Sequence, residues 1–342
     1  MLGQRATVIE TIFVVGFPRS GTTWFSNLIN SHPDAVYRHE VFGREYKAFG
    51  DDLFKALKFN DGLTDAEHEQ ALKVLLSARI STDKPPFFRK KYHRISNVDL
   101  QRLSWLAAQA APFLEPLYTY LFTPKAKSEV TLVIKETRSS VNLASIVAGV
   151  RTSNLLVLVR HPYAVISSHL KGRESGLMGG GDEAHRKQWM RANKDAAYLL
   201  ESGVSEEAVL DMQEVEFLAL NWRVQNEDYL NMLTQNPNSQ LLIYEEFLSD
   251  PQAKTKQLFS SLGLQMDPQV EAFVNESSSK DVKKNLLTKD SSSEYFSVYR
   301  GKSFDPDKWK KILTPDDVEL VDKHTLLLTE KLGLNKWIEK GA

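Results

Sequence analysis

The run TIFVVGFPRSGTTW, Thr11 to Trp24, constrains this chain more than any other stretch. Its first part, Thr11 to Gly16, is apolar and β-branched and reads as a buried strand ending at a glycine. Its last part opens TTWFSNLINSH, in which Trp24, Leu28 and Ile29 share one helical face. Gly16 and Gly21 bracket the turn between them. Strand, glycine-rich turn and helix, in that order, aim successive backbone N–H groups and a helix N-terminus at one anion.

Two parts that a nucleoside triphosphatase uses are missing. Thr22 stands where a lysine would reach the terminal phosphates, and the cation is Arg19, inside the loop. The strand Asn154 to Arg160 ends without an aspartate to help hold magnesium. The site is expected to take an anion without a metal. With a formal net charge of -1, attraction to an anion has to be local, and nothing global points to nucleic acid. The chain has no cysteine, which removes thiol catalysis, disulfides and cysteine-ligated metals.

Further apolar runs, Val130–Lys135, Asn154–Arg160 and Ser239–Tyr244, read as buried parallel strands. A helix-length segment, Ser139 to Val150, separates the first two, and the spacing of Met212, Val215, Ala219, Trp222, Tyr229 and Leu233 predicts an amphipathic helix before the last. Alternating strands and helices imply an α/β three-layer sandwich around a mainly parallel sheet, in one domain over residues 1–342. Residues 44–127 are too long for a minimal crossover and are expected to be a helical insertion or lid. Gly176 to Glu183 reads as a flexible loop. No charged-then-apolar leader is present, and no apolar run approaches the roughly 18 to 20 residues that span a bilayer. The expected location is cytoplasmic.

PRSGTTW after an apolar strand resembles the 5′-phosphosulfate loop of the sulfotransferases that use 3′-phosphoadenosine 5′-phosphosulfate (PAPS). The resemblance implies a kinase-like P-loop fold, PAPS as donor, 3′-phosphoadenosine 5′-phosphate (PAP) as product, and no metal. It assigns Arg19, Ser20, Gly21, Thr22 and Thr23 to the donor phosphosulfate. RHPYAVISS, with Arg160 and Ser168 eight residues apart, resembles the family's 3′-phosphate site. YRGKS near the C-terminus resembles its basic closing loop, which assigns Arg300 and Gly301 to the same phosphate, with Lys302 as an extra cation. IYEEFLSDP resembles the family's Tyr-Glu segment and implies Tyr244 near the adenine. Trp24 is a stacking face for that ring, or simply core.

Transfer to a hydroxyl or amine needs a base within reach of the acceptor and cations where negative charge develops. Arg19 and Lys135, the latter at a strand end as in the family, fit the second role. In the cytosolic branch a histidine follows that lysine by two residues, but here the position is Thr137. The tyrosylprotein sulfotransferases use a glutamate instead. Glu40 stands eight residues after His32 and 21 after Arg19, matching that branch. Glu136 and His39 are the other candidates, and Glu40 could instead pair with Arg38 or Arg44.

The acceptor is open between a saccharide, another small hydroxyl compound and a phenol or lipid. KPPFFRKKYHR, Lys84 to Arg94, interleaves cations with aromatics and could grip an anionic acceptor. Phe42, Phe87, Phe88 and Tyr92 could line a pocket or pack the lid. Two other classes fit parts of the pattern: a protein that holds PAPS or PAP without turnover, and a kinase-like phosphotransferase.

Overall fold

The computed structural model describes residues 6–44, 46–59, 62–137, 143–179, 181–278, 298 and 307–338. Its elements begin β1 (Thr7–Val15), α1 (Thr22–Asn30), β2 (Ala35–His39), α2 (Val41–Arg44), α3 (Tyr46–Phe49), α4 (Asp51–Phe59) and α5 (Asp65–Leu76). There follow α6 (Val98–Ala110), α7 (Glu115–Phe122), β3 (Glu129–Glu136), α8 (Leu143–Gly149), β4 (Asn154–Val159) and α9 (Pro162–Glu174). After these come α10 (Glu183–Asn193), α11 (Ala197–Ser202), α12 (Glu206–Asp211), α13 (Glu214–Gln235) and β5 (Ser239–Ile243). The last are α14 (Tyr244–Ser249), α15 (Pro251–Ser261), α16 (Pro268–Ser278) and α17 (Pro315–Lys331).

The five strands form one sheet, ordered β2-β3-β1-β4-β5, and every pairing is parallel. Parallel strands bury both faces under helices, which is why their inner halves read as unbroken apolar runs. Side chains alternate between the two faces. Phe13, Val15, Ile134 and Val157 pack with Trp222 and Tyr229 of α13 on one side. Ile12, Val14, Val133 and Leu158 pack with Trp24, Phe25 and Leu28 of α1 and with Phe247 and Phe259 on the other. This is the three-layer α/β sandwich that the sequence implies, with a fifth strand, β2, that the apolar runs do not show.

From β1 the chain passes to β2 at the sheet edge, returns to β3 beside β1, and then crosses to β4 on β1's other flank. Such a reversal opens a crevice at the carboxyl ends of the strands. Gly16 ends β1 against its neighbour, where a Cβ would lie 2.5 Å from the Leu158 carbonyl oxygen and 2.8 Å from Thr22 Cγ2.

The stretch 44–127 carries α3 to α7 and is tied to β2 and to the end of α1 by two buried cations. Arg38 gives its guanidinium N–H groups to the carbonyls of Leu75 (2.6 Å), Leu76 (2.9 Å) and Tyr37 (2.7 Å) and to Asp83 (2.9 Å). It therefore closes the C-terminus of α5, where cations are favoured. Lys90 donates to the carbonyls of Asn30 and His32 and so closes the end of α1. Among the described residues no helix is long and apolar enough to cross a membrane, and no group of metal-ligating side chains gathers.

Candidate active site

The loop between β1 and α1 turns on two left-handed residues, Arg19 (φ 72°) and Gly21 (φ 90°). Glycine takes this conformation freely, whereas arginine is held in it at a cost. At Gly21 a Cβ would also overlap the Tyr244 ring. The Ser20 N–H closes the turn onto the Phe17 carbonyl at 3.0 Å. Helix α1 starts at Gly21 without a side-chain cap, so its first turn presents backbone N–H groups and the positive end of its dipole to the crevice. Ser20 Oγ is fully buried and has no hydrogen-bond partner among the described residues.

Three contacts from β4 and α9 hold the loop from beneath. Arg160 donates to the Arg19 carbonyl at 3.1 Å, the Arg19 Nε–H donates to Ser168 Oγ at 3.0 Å, and His169 Nε2 lies 3.1 Å from the Pro18 carbonyl. In that last contact neutral His169 donates from Nε2, and burial holds its pKa down at about 4. Trp222 Nε1–H donates to the Arg160 carbonyl at 3.2 Å, which fixes the end of β4 against α13. The Arg160 guanidinium lies 4.8 Å over the Tyr244 ring. His161 accepts the Tyr163 N–H and so caps α9, while its own N–H donates to Glu245. Burial pushes the Glu245 carboxyl above its ordinary value, opposed by the neighbouring Arg160.

The rest of the crevice comes from β2 and β3. Their register pairs His39 with Lys135, and the Glu40 N–H donates to the Lys135 carbonyl at 2.8 Å. Glu40 then leaves the strand in a left-handed turn (φ 51°), and its carboxylate swings back over the strand ends. Glu40 Oε1 accepts from Lys135 Nζ at 2.5 Å and from Thr137 Oγ1 at 3.1 Å, with His39 Nε2 3.7 Å away. Thr137 is itself held, since its carbonyl accepts from Gln225 Nε2 at 3.0 Å. Lys135 is 3 % exposed at its side chain and Glu40 15 %, so the pair is desolvated but reachable from the crevice. Of the four non-glycine residues with positive φ among the described residues, two are Arg19 and Glu40. Left-handed strain of this kind gathers where structure serves a site.

The structure thus brings Arg19, Ser20, Gly21, Thr22, Thr23, Arg160, Ser168, Glu40 and Lys135 to one end of the sheet. Arg38 is bound to Asp83, so the expected alternative of a Glu40–Arg38 pair does not form. Glu136 is fully buried on the face opposite Lys135, where it accepts the Thr137 N–H at 3.0 Å. His39 stays beside Glu40 and bonds the Tyr37 hydroxyl at 2.9 Å through Nδ1.

Trp24 and Tyr244 are core residues, 2 % and 0 % exposed, packed edge to face, and Trp24 Nε1–H donates to Ser277. Arg300, Gly301 and Lys302 lie outside the described residues. Thr137 holds the Glu40 carboxylate and Gln225 holds Thr137, roles that residue type alone does not announce. The offset of Thr137 from Lys135 was the available signal.

A family model described as "Sulfotransferase family" matches residues 11–268. No curated protein matches the sequence. Among solved structures, the chain is similar to the sulfotransferase domain from the curacin biosynthetic pathway, with 16% identity and a TM-score of 0.46 over 93% of this chain and 98% of that one. It is also similar to the sulfotransferase domain of the Synechococcus PCC 7002 olefin synthase, at 17% identity and a TM-score of 0.40 over 94% and 96%. Mouse sulfotransferase SULT7A1 complexed with PAP has 15% identity and a TM-score of 0.44 over 99% and 90%. At such values the likeness identifies neither donor nor acceptor.

Proposed function

The chain belongs to the sulfotransferase family, and we propose that it moves a sulfuryl group from PAPS to a hydroxyl or amine of a small acceptor, without a metal. The observation that carries this reading is the meeting of Glu40, just past the end of β2, and Lys135 of β3 at 2.5 Å, beside an anion-binding turn that contains Arg19. A carboxylate and two cations converging on one crevice supply what such a transfer requires, a proton acceptor and charge neutralisation.

The residues present suit PAPS. Buried Ser20 Oγ and the uncapped first turn of α1 offer donors to a phosphosulfate, and Arg160 and Ser168 offer a guanidinium fork and a hydroxyl to a 3′-phosphate. PAPS supplies the sulfuryl group and departs as PAP, the new bond from sulfur to the acceptor's oxygen or nitrogen forming as the bond from sulfur to the phosphate oxygen breaks. Glu40 takes the acceptor's proton, and Thr137 and Lys135 hold that carboxylate in place. Lys135 and Arg19 neutralise charge on the sulfuryl and bridging oxygens. The Arg19–Ser168 contact joins the cation at the reacting end to the hydroxyl at the 3′-phosphate end.

Calorimetric titration with PAP, without magnesium, beside ATP and adenosine 5′-phosphate tests the donor assignment. Micromolar binding of PAP alone, lost in Arg160→Ala, is the expected result. Equal binding of ATP, or no binding of PAP, would overturn the assignment.

A further inference from the structure

The segment Lys84–Arg94, singled out in the sequence for its mixed cations and aromatics, is sorted by the fold into two sets. Phe88, Lys90, Tyr92 and His93 are buried, while Arg89, Lys91 and Arg94 face solvent. The aromatics are thus packing with Lys90, and Arg89, Lys91 and Arg94 remain outside. They border a surface that the core does not use.

Helix α6 is built the wrong way round for a helix of a soluble core. Its buried residues are Gln101 and Ala108, whereas Leu100, Leu103 and Leu106 are 39 %, 63 % and 46 % exposed. Beyond α6, Phe113 (80 %), Leu117 (56 %) and Tyr120 (61 %) are exposed as well. Single exposed leucines are ordinary, but six large apolar side chains turned outward on one helical hairpin mark an interaction surface.

One edge of this face is cationic. The Arg94 guanidinium lies 4.3 Å over the Tyr120 ring. The Arg94 N–H bonds the Leu121 carbonyl and the Lys125 N–H bonds the Tyr92 carbonyl, so the segments carrying Arg89, Lys91 and Arg94 and carrying Lys125 and Lys127 run side by side. Residues 84–127 hold eight lysines and arginines against Asp99 and Glu115 alone, in a chain whose net charge is -1.

We propose that the α6–α7 hairpin docks on the surface of an anionic lipid bilayer, its leucines and Phe113 in the acyl–headgroup boundary and its cations on the headgroups. An in-plane helix with an apolar face and a basic rim is the form such docking takes. A second copy of this chain is the poorer occupant. In a two-fold dimer the apolar faces would meet each other, but the excess of cations along one edge would find too few carboxylates on the second copy's patch to pair with, since residues 84–127 hold only Asp99 and Glu115. The hairpin is linked to the β2 end of the site through one intervening segment. Thr119 Oγ1 donates to the Ala78 carbonyl, and four residues further on the Thr82 carbonyl accepts the His39 N–H.

The test is co-sedimentation of the full chain with vesicles of pure phosphatidylcholine and of phosphatidylcholine mixed with phosphatidylglycerol, without nucleotide. Binding is therefore read independently of whether PAPS is the donor. The expected result is binding to the mixed vesicles alone, weakened by salt, and at least about tenfold weaker in Leu103→Asp/Phe113→Asp and in Lys125→Glu/Lys127→Glu. These side chains are exposed, and unchanged near-ultraviolet circular dichroism shows that the variants fold. No binding to anionic vesicles, or binding that both double variants keep, would overturn the proposal. So would a dimer in sedimentation velocity that Leu103→Asp/Phe113→Asp abolishes, because the face would then be a self-interface.

Discussion

The two halves of the crevice are built by different means. The loop half, Gly16 to Trp24 with Arg160 and Ser168, comes from one contiguous turn and one strand–helix junction, locked by backbone contacts such as Arg160 to the Arg19 carbonyl. The carboxylate half comes from strand ends far apart in sequence. Glu40 reaches Lys135, 95 residues away, because β2 and β3 pair in one register. A turn can be written in nine residues. A register cannot, and a slip of one residue would send Lys135 to the α13 face and leave Glu40 without its partner. The loop half should therefore govern nucleotide binding and the carboxylate half turnover.

Glu40→Gln gives the largest separation of the two. It keeps the shape and removes the base, so kcat should fall about 10²- to 10⁴-fold while calorimetric affinity for PAP stays that of the parent. Arg19→Ala should lower kcat by about 10²-fold or more, on the scale of a lost oxyanion donor, and weaken PAP as well. If Glu40→Gln weakened PAP as much as Arg19→Ala does, the halves would be one unit. Thr137→Val sharpens the comparison on a smaller scale. It removes one donor to Glu40, about 1 kcal/mol net, and should slow turnover several-fold with PAP binding intact. Thr137→Ser should restore the rate; a silent Thr137→Val would mean that Lys135 alone orients the carboxylate.

The same contrast explains what the sequence reveals. Strands β1, β3, β4 and β5 are legible because strands of a parallel sheet are apolar throughout, and α13 because its spacing holds over several turns. Strand β2 is not: AVYRH is five residues long and ends in two basic side chains. Arg38 looks polar but is spent on carbonyls of α5. Glu40 is visible only through its likeness to a family pattern, since nothing local reveals a left-handed turn at a glutamate or a contact with Lys135. Trp24 and Tyr244 are legible as rings beside a binding turn but not as a packed pair. Both fill the space between α1 and α14, and Tyr244 backs Gly21 and carries Arg160. Helix α6 is illegible for a further reason. Apolar spacing shows that a helix has a face but not whether that face turns inward.

Acid offers the gentlest way to strain the loop half. His169 supports the loop through Pro18, and burial holds its pKa at about 4, below the ordinary value of 6.5. The folded state thus resists a proton that the unfolded chain accepts below about pH 6.5. Stability rises with pH through that window and is lost as pH falls from 6.5 towards 4. From neutrality to about pH 5.5 this one residue should withdraw about 1 kcal/mol. Buried His161 and His93, each held at about 3, should add to the same slope. Urea unfolding of the parent and of His169→Phe at the two pH values isolates the contribution under the loop. The variant should start less stable, having lost the bond to Pro18, but fall less steeply with acid. Equal slopes would mean that His169 is protonated as readily in the fold as out of it, and that the loop does not rest on a neutral imidazole.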